Sequence, residues 1–132
     1  MPVVLVVEDH PAIALAVAAS VRFSGYQVVV AHSGPEALAF LLRRTPDLVV
    51  LDESMPGMSG LDVLRALRSD GGCYPNPPPV VMFSASDAAR EESARLGAAG
   101  FVLKTEADAL VPQIRRTLGL AKSVAATRSQ KG

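Results

Sequence analysis

A single cysteine, Cys73, rules out an internal disulfide and a thiolate-held metal cluster. One free thiol suits a reducing compartment, so a cytoplasmic chain is expected. The two histidines, His10 and His32, do not stand at metal-ligand spacing. Charge of one sign is missing too: 13 basic side chains face 13 acidic ones. That balance gives no global field toward nucleic acid or anionic lipid, so no direct nucleic-acid binding is expected. The only basic bias is at the end, where Lys122, Arg128 and Lys131 have no acidic neighbour after Asp108. No apolar run approaches the roughly 20 residues of a membrane helix. The opening apolar run, residues 2–7, stops at Glu8 and Asp9 and lacks a basic flank, so neither a signal peptide nor a membrane segment is expected.

What is present is alternation. A chain of 132 residues is one domain by length. Val3 to Val7 is a continuous Val-rich run and reads as a buried strand. Pro11 suits a first helical turn, Ile13, Val17 and Val21 share a helix face, and Gly25 is a stop. Gln27 to Ala31 is a second strand. Ser33 and Glu36 form a capping box around Pro35, and Ala37, Leu38, Leu41 and Leu42 give an apolar stripe. Thr45-Pro46 closes that helix. Leu48 to Leu51 is a third strand with Asp52 at its end, followed by the turn-rich Met55-Pro56-Gly57-Met58-Ser59-Gly60 and a helix from about Ser59 to Arg68. Residues 69–79 are Gly- and Pro-rich and read as a stiffened loop. Val80 to Phe83 is a fourth strand ending at Ser84. A helix capped by Ser86 or Asp87 follows and stops at Gly97. Phe101 to Leu103 is a fifth strand ending at Lys104. A last helix opens at Thr105 or Glu106, carries Leu110, Ile114 and Leu118, and ends at Gly119. Residues 1–119 are expected to form the domain. Residues 120–132 are expected to be a tail or linker without an output domain.

Five strands alternating with five helices predict an α/β fold with a doubly wound parallel sheet. The flavodoxin-like order 2-1-3-4-5 is the expected arrangement. Parallel strands bring their carboxyl ends to one edge, where such sheets bind ligands. Glu8-Asp9, Asp52, Ser84 and Lys104 stand at those ends. Taken singly, each has a plain reading: a helix cap, a turn aspartate, a satisfied hydroxyl, a surface lysine. Together, three carboxylates would raise one another's pKa unless a cation joined them. A hard divalent ion with oxygen ligands, Mg²⁺, suits such a site. Lys104 is expected to pair with Asp52 and pull its pKa down, keeping it an anionic nucleophile. The Ser84 hydroxyl can donate to an incoming oxyanion.

On these residues the sequence resembles the receiver domain of bacterial two-component response regulators. VLVVEDH looks like the acidic metal-binding start. LVVLDESMPGMSGLD looks like the phosphoacceptor strand and its loop. VVMFSAS looks like the hydroxyl-bearing strand, and GAAGFVLKT like the strand with a switch aromatic and a lysine. The resemblance covers about residues 3–118. It implies that Asp52 accepts a phosphoryl group from a histidine kinase or phosphotransfer protein. Glu8, Asp9, Asp52 and the Ser54 backbone carbonyl would hold Mg²⁺, and Ser84 and Lys104 would bind phosphoryl oxygens. Ser84 and Phe101 would form the switch. The chain would then signal to a downstream protein through a changed surface, with a homodimer through residues 87–118 as one option, and would not be an enzyme in its own right. Where the family has proline after the lysine, this chain has Thr105. Lys104-Thr105 after Gly100-Phe101-Val102-Leu103 looks like receivers joined to helix-turn-helix outputs of the LuxR type.

Other readings of the fold fit less well. A haloacid-dehalogenase-type enzyme needs a second Asp two residues after the nucleophile, and that position is Ser54. A flavodoxin-type cofactor binder needs a hydroxyl- and glycine-rich phosphate loop after the first strand, where Glu8-Asp9 would repel a phosphate. A receiver-like interaction module that works without phosphorylation remains the alternative.

Overall fold

The computed structural model describes residues 1–69 and 72–119. The strands are β1 (Val3–Val7), β2 (Gln27–Ala31), β3 (Leu48–Asp52), β4 (Val80–Ser84) and β5 (Gly100–Leu103). They form one parallel sheet in the order β2-β1-β3-β4-β5. The helices are α1 (Pro11–Phe23), α2 (Gly34–Arg43), α3 (Gly60–Arg68), α4 (Arg90–Arg95) and α5 over 110–119.

Alternation along each strand divides the core in two, because successive side chains point to opposite sheet faces. Leu5, Val7, Val49, Leu51, Val80 and Met82 pack on one face with Ala37 and Leu41 of α2 and Val63, Leu64 and Leu67 of α3. Val4, Val6, Leu48, Val50, Val81 and Phe83 pack on the other with Val17 and Val21 of α1 and Leu110, Ile114 and Leu118 of α5. Both faces are covered, which is why β1, β3 and β4 read as unbroken apolar runs.

Several local details differ from the sequence reading. His10 caps α1, its Nδ1 accepting from the Ile13 N–H at 3.4 Å, so Glu8 and Asp9 are not the caps. Ser33 caps α2 as expected, but Glu36 reaches back to the N–H of His32, one residue before the cap. The closed capping box is at α3, between Ser59 and Asp62. The segment after Ser84 opens as a 3₁₀ turn, Asp87–Ala89, before the short α4. The segment after β5 is also 3₁₀-like, Lys104–Ala109, with non-helical backbone at Glu106, so regular helix starts only near Leu110. The Lys104–Thr105 peptide is trans. In the Pro-rich loop, the Tyr74 hydroxyl donates to the Leu38 carbonyl at 3.1 Å and ties the loop to α2. The expected tail, 120–132, lies outside the described residues.

Candidate functional site

The strand ends converge as the parallel order requires. Val7 pairs with Leu51 and Asp52 with Phe83, so Glu8, Asp52 and Ser84 follow one another across the edge. Ser84 pairs with Leu103, which brings Lys104 alongside. Glu8, Asp9 and Asp52 offer carboxylate oxygens that all lie within 4.8 Å of one another. Glu8 and Asp52 are almost fully covered, at 2% and 1% exposure. Two buried carboxylates need a partner, because an unpaired buried charge is costly.

Lys104 is that partner. Its Nζ is 3.0 Å from Glu8 Oε2 and 3.1 Å from Asp52 Oδ1. Burial alone would lower its pKa, but the hydrogen bonds and charges of Glu8 and Asp52 raise it overall, so the lysine stays protonated. Asp52 goes the other way from the sequence expectation. Its pKa is raised from 3.8 to about 6, first by burial and then by the Glu8 charge, against the lowering hydrogen bonds of Lys104 and the Ser54 N–H. Lys104 therefore limits the rise rather than producing a fall. That value still lies below neutral pH, where Asp52 is mostly anionic.

The two oxygens of Asp52 are not equivalent. Oδ1 takes both the Lys104 ammonium and the Ser54 N–H, the latter at 3.3 Å. Among the described residues no buried side-chain oxygen or nitrogen lacks a partner. Oδ2, which has no hydrogen bond of its own, therefore keeps a little exposure. Both Glu8 oxygens are occupied, Oε2 by Lys104 and Oε1 by the His10 N–H at 3.3 Å. Ser84 is buried, and its Oγ accepts from the Ser86 N–H at 3.4 Å, which leaves its own O–H free to donate. Phe101 is half-buried against the core on the α2 and α3 side of the sheet, with the Arg90 guanidinium 4.5 Å from its ring centroid. Asp87 holds that guanidinium at 2.8 Å.

The loop after Asp52 is shaped by its glycines. Gly57 has φ +79°, in the left-handed region that favours glycine. At Gly60 a Cβ would run into the Asp52 carbonyl oxygen and stand 2.9 Å from Glu53 Cα, so only glycine lets α3 start this close to the strand end. One residue of the site region escaped the sequence reading. Glu53 accepts from the Leu61 N–H at 2.8 Å through its carboxylate and from the Gly60 N–H at 2.9 Å through its carbonyl. Its only sequence signal is an acidic residue eight positions before a helix's second N–H.

The doubly wound sheet with an acidic pocket and a bridging lysine at its carboxyl edge defines the class of domain. The model of the response regulator receiver domain matches residues 4–115. The chain belongs to that family. It is 37% identical over 130 residues to the "Probable transcriptional regulatory protein TcrX" of Mycobacterium tuberculosis, covering 98% of this chain and 53% of that one. It is 41% identical over 99 residues to the response regulator MprA of a Mycobacterium species, covering 74% and 41%. The chain thus spans about half the length, or less, of these curated relatives. Among solved structures, the Francisella response regulator 1452 receiver domain superposes with TM-score 0.81 at 27% identity, covering 92% and 99%. The Thermotoga maritima response regulator TrrA, solved with Mg²⁺ and BeF, gives 0.78 at 29%, covering 89% and 99%. One relative is named a transcriptional regulator, so the expected lack of nucleic-acid contact has no support from these matches. Among the described residues no helix is long and apolar enough to cross a membrane.

Proposed function

We propose that Asp52 accepts a phosphoryl group from a histidine kinase or a histidine phosphotransfer protein, and that the chain signals through the surface this changes. The observation that carries the reading is Lys104 bridging Glu8 and Asp52, with Oδ2 of Asp52 left without a hydrogen bond. Phosphoryl transfer depends mainly on positioning and charge neutralisation, and the site offers both. Oδ2 attacks phosphorus, the O–P bond forms, and the P–N bond to the donor imidazole breaks with its electron pair left on nitrogen. Lys104 and the Ser84 hydroxyl then bind phosphoryl oxygens.

The donor set fits Mg²⁺, a hard ion that takes carboxylate, carbonyl and water oxygens. Asp9, Asp52 and the Ser54 carbonyl would hold it directly, and Glu8, whose oxygens are already engaged, through water. When bound, the ion neutralises charge on the phosphoryl oxygens. Ser84 turning toward the phosphoryl group gives Phe101 room to rotate, a local charge event biasing a two-state element. Residues 1–119 form the domain in this reading, with 120–132 a linker. The working compartment is the cytoplasm, the output is a downstream protein or a homodimer through residues 87–118, and the chain's own chemistry is limited to gaining and losing its phosphoryl group.

The test is intact mass after incubation with Mg²⁺ and acetyl phosphate. Wild type should gain one hydroxylamine-labile phosphoryl group and Asp52→Asn none. A gain of equal rate in Asp52→Asn would remove Asp52 from the mechanism.

A further inference from the structure

The first turn of α3 is fully accounted for. Its Ser59 cap leaves four N–H groups without partners inside the helix. The Asp62 N–H goes to Ser59 Oγ and the Ser59 N–H to the Asp62 carboxylate. The other two, from Gly60 and Leu61, go to a single residue outside the helix, Glu53, through its carbonyl and its carboxylate. Glu53 is thus anchored at two points. It lies between Asp52 and Ser54, whose N–H fixes Oδ1 of Asp52.

We propose that Glu53 is a positioning residue for the Asp52 carboxylate. By hooking the loop onto the end of α3, it holds the Ser54 N–H against Oδ1 and so fixes the orientation of the carboxylate. The same hook points the Glu53 carboxylate at the positive end of α3, where the Leu61 N–H offsets part of the rise in its pKa that burial causes. A fourth carboxylate loose beside that cluster would compete for the cation. The inference rests on the reading of Glu8, Asp9, Asp52 and Ser54 as a Mg²⁺ site, and its test separates the two.

Mg²⁺ affinity is measured by calorimetry on the full chain for wild type, Glu53→Ala, Glu53→Gln, Ser59→Ala and Asp52→Ala, with the melting temperature of each. Loss of groups that orient metal ligands commonly weakens binding at least tenfold. Glu53→Ala should therefore bind Mg²⁺ about tenfold more weakly. Glu53→Gln should stay within about twofold of wild type, since its amide oxygen still accepts from the Leu61 N–H. Ser59→Ala loosens the same helix end without touching residue 53, so it should lower the melting temperature but leave Mg²⁺ affinity unchanged. Equal weakening in Ser59→Ala and Glu53→Ala would overturn the proposal, leaving Glu53 a helix cap and nothing more. Wild-type affinity in Glu53→Ala would overturn it as well. Wild-type affinity in Asp52→Ala would instead show that the metal reading itself fails.

Discussion

Two connections leave the same sheet edge from neighbouring strands and are built to different standards. After Asp52, the chain turns through Gly57, docks Glu53 on two N–H groups of α3, and enters that helix through a closed capping box. The helix then runs from Gly60 to Arg68 and buries Val63, Leu64 and Leu67. After Ser84, the chain makes a 3₁₀ turn that Ser86 caps and that buries Ala89, then a six-residue α4 that has no side-chain cap of its own and buries only Ser93. What fastens α4 to α3 lies at or near the surface: the Arg65–Glu92 ion pair at 3.4 Å and the Arg68 guanidinium on the Leu96 and Gly97 carbonyls at 3.1 Å. The first connection holds the end of β3 at Asp52 against α3. The second, which adjoins Ser84 and Phe101, has few buried contacts holding it, the property of segments that open at low cost.

The largest expected effect falls on the charges that this edge crowds together. Removing Lys104 leaves Glu8 and Asp52 buried without a cation, a change of the kind that costs about 3–5 kcal/mol. Lys104→Met should lose stability of that order at pH 7.5 in EDTA, measured by urea unfolding, and regain part of it with Mg²⁺. An unchanged midpoint would mean that the two carboxylates are hydrated rather than paired.

Next comes Asp52 itself. Its pKa rises from 3.8 to about 6 on folding, so between those values the folded chain holds more protons than the unfolded one. Stability then falls as pH rises through that window, and the cost is absent below pH 3.8 and complete above pH 6. Asp52→Asn should therefore be more stable than wild type in EDTA at pH 7.5, by about 1–3 kcal/mol at 1.36 kcal/mol per pKa unit. The difference should close on acidification to pH 3.5. The carbon resonance of the Asp52 carboxyl should titrate near pH 6 without metal. A midpoint at or below 4 would restore the expectation that Lys104 dominates.

Smaller effects sharpen the contrast between the connections. Ser59→Ala should cost about 1 kcal/mol, the usual worth of an N-cap. Arg65→Ala removes an exposed ion pair and should cost less than about 0.5 kcal/mol. Equal costs in thermal unfolding would mean that α3 and α4 are fastened alike.

The strand ends were legible in the sequence because each is an apolar run broken by one polar residue, and a parallel sheet leaves no choice about where those ends meet. Glu8, Asp9, Asp52, Ser84 and Lys104 could be placed on that ground alone. The balance of forces on Asp52 could not, because it depends on how completely folding covers the carboxylate, and burial outweighed the lysine that sequence made visible. Glu53 was hidden for a different reason: its partners are backbone N–H groups, which carry no residue signature. The 3₁₀ stretches at Asp87–Ala89 and Lys104–Ala109 fall where the pattern reads as helix, and helix ends are where local pattern decides least. The Arg90–Phe101 contact joins a helix to a strand residue eleven positions on, outside any periodic pattern.

Phosphorylation of Asp52 is expected to be read on the β4–α4–β5 side while α3 stays fixed. Hydrogen exchange with and without Mg²⁺ and beryllofluoride, a phosphoryl mimic, tests it directly. Exchange should change across residues 87–118 and stay the same across 60–68. Equal change in both segments, or none in 87–118, would contradict it.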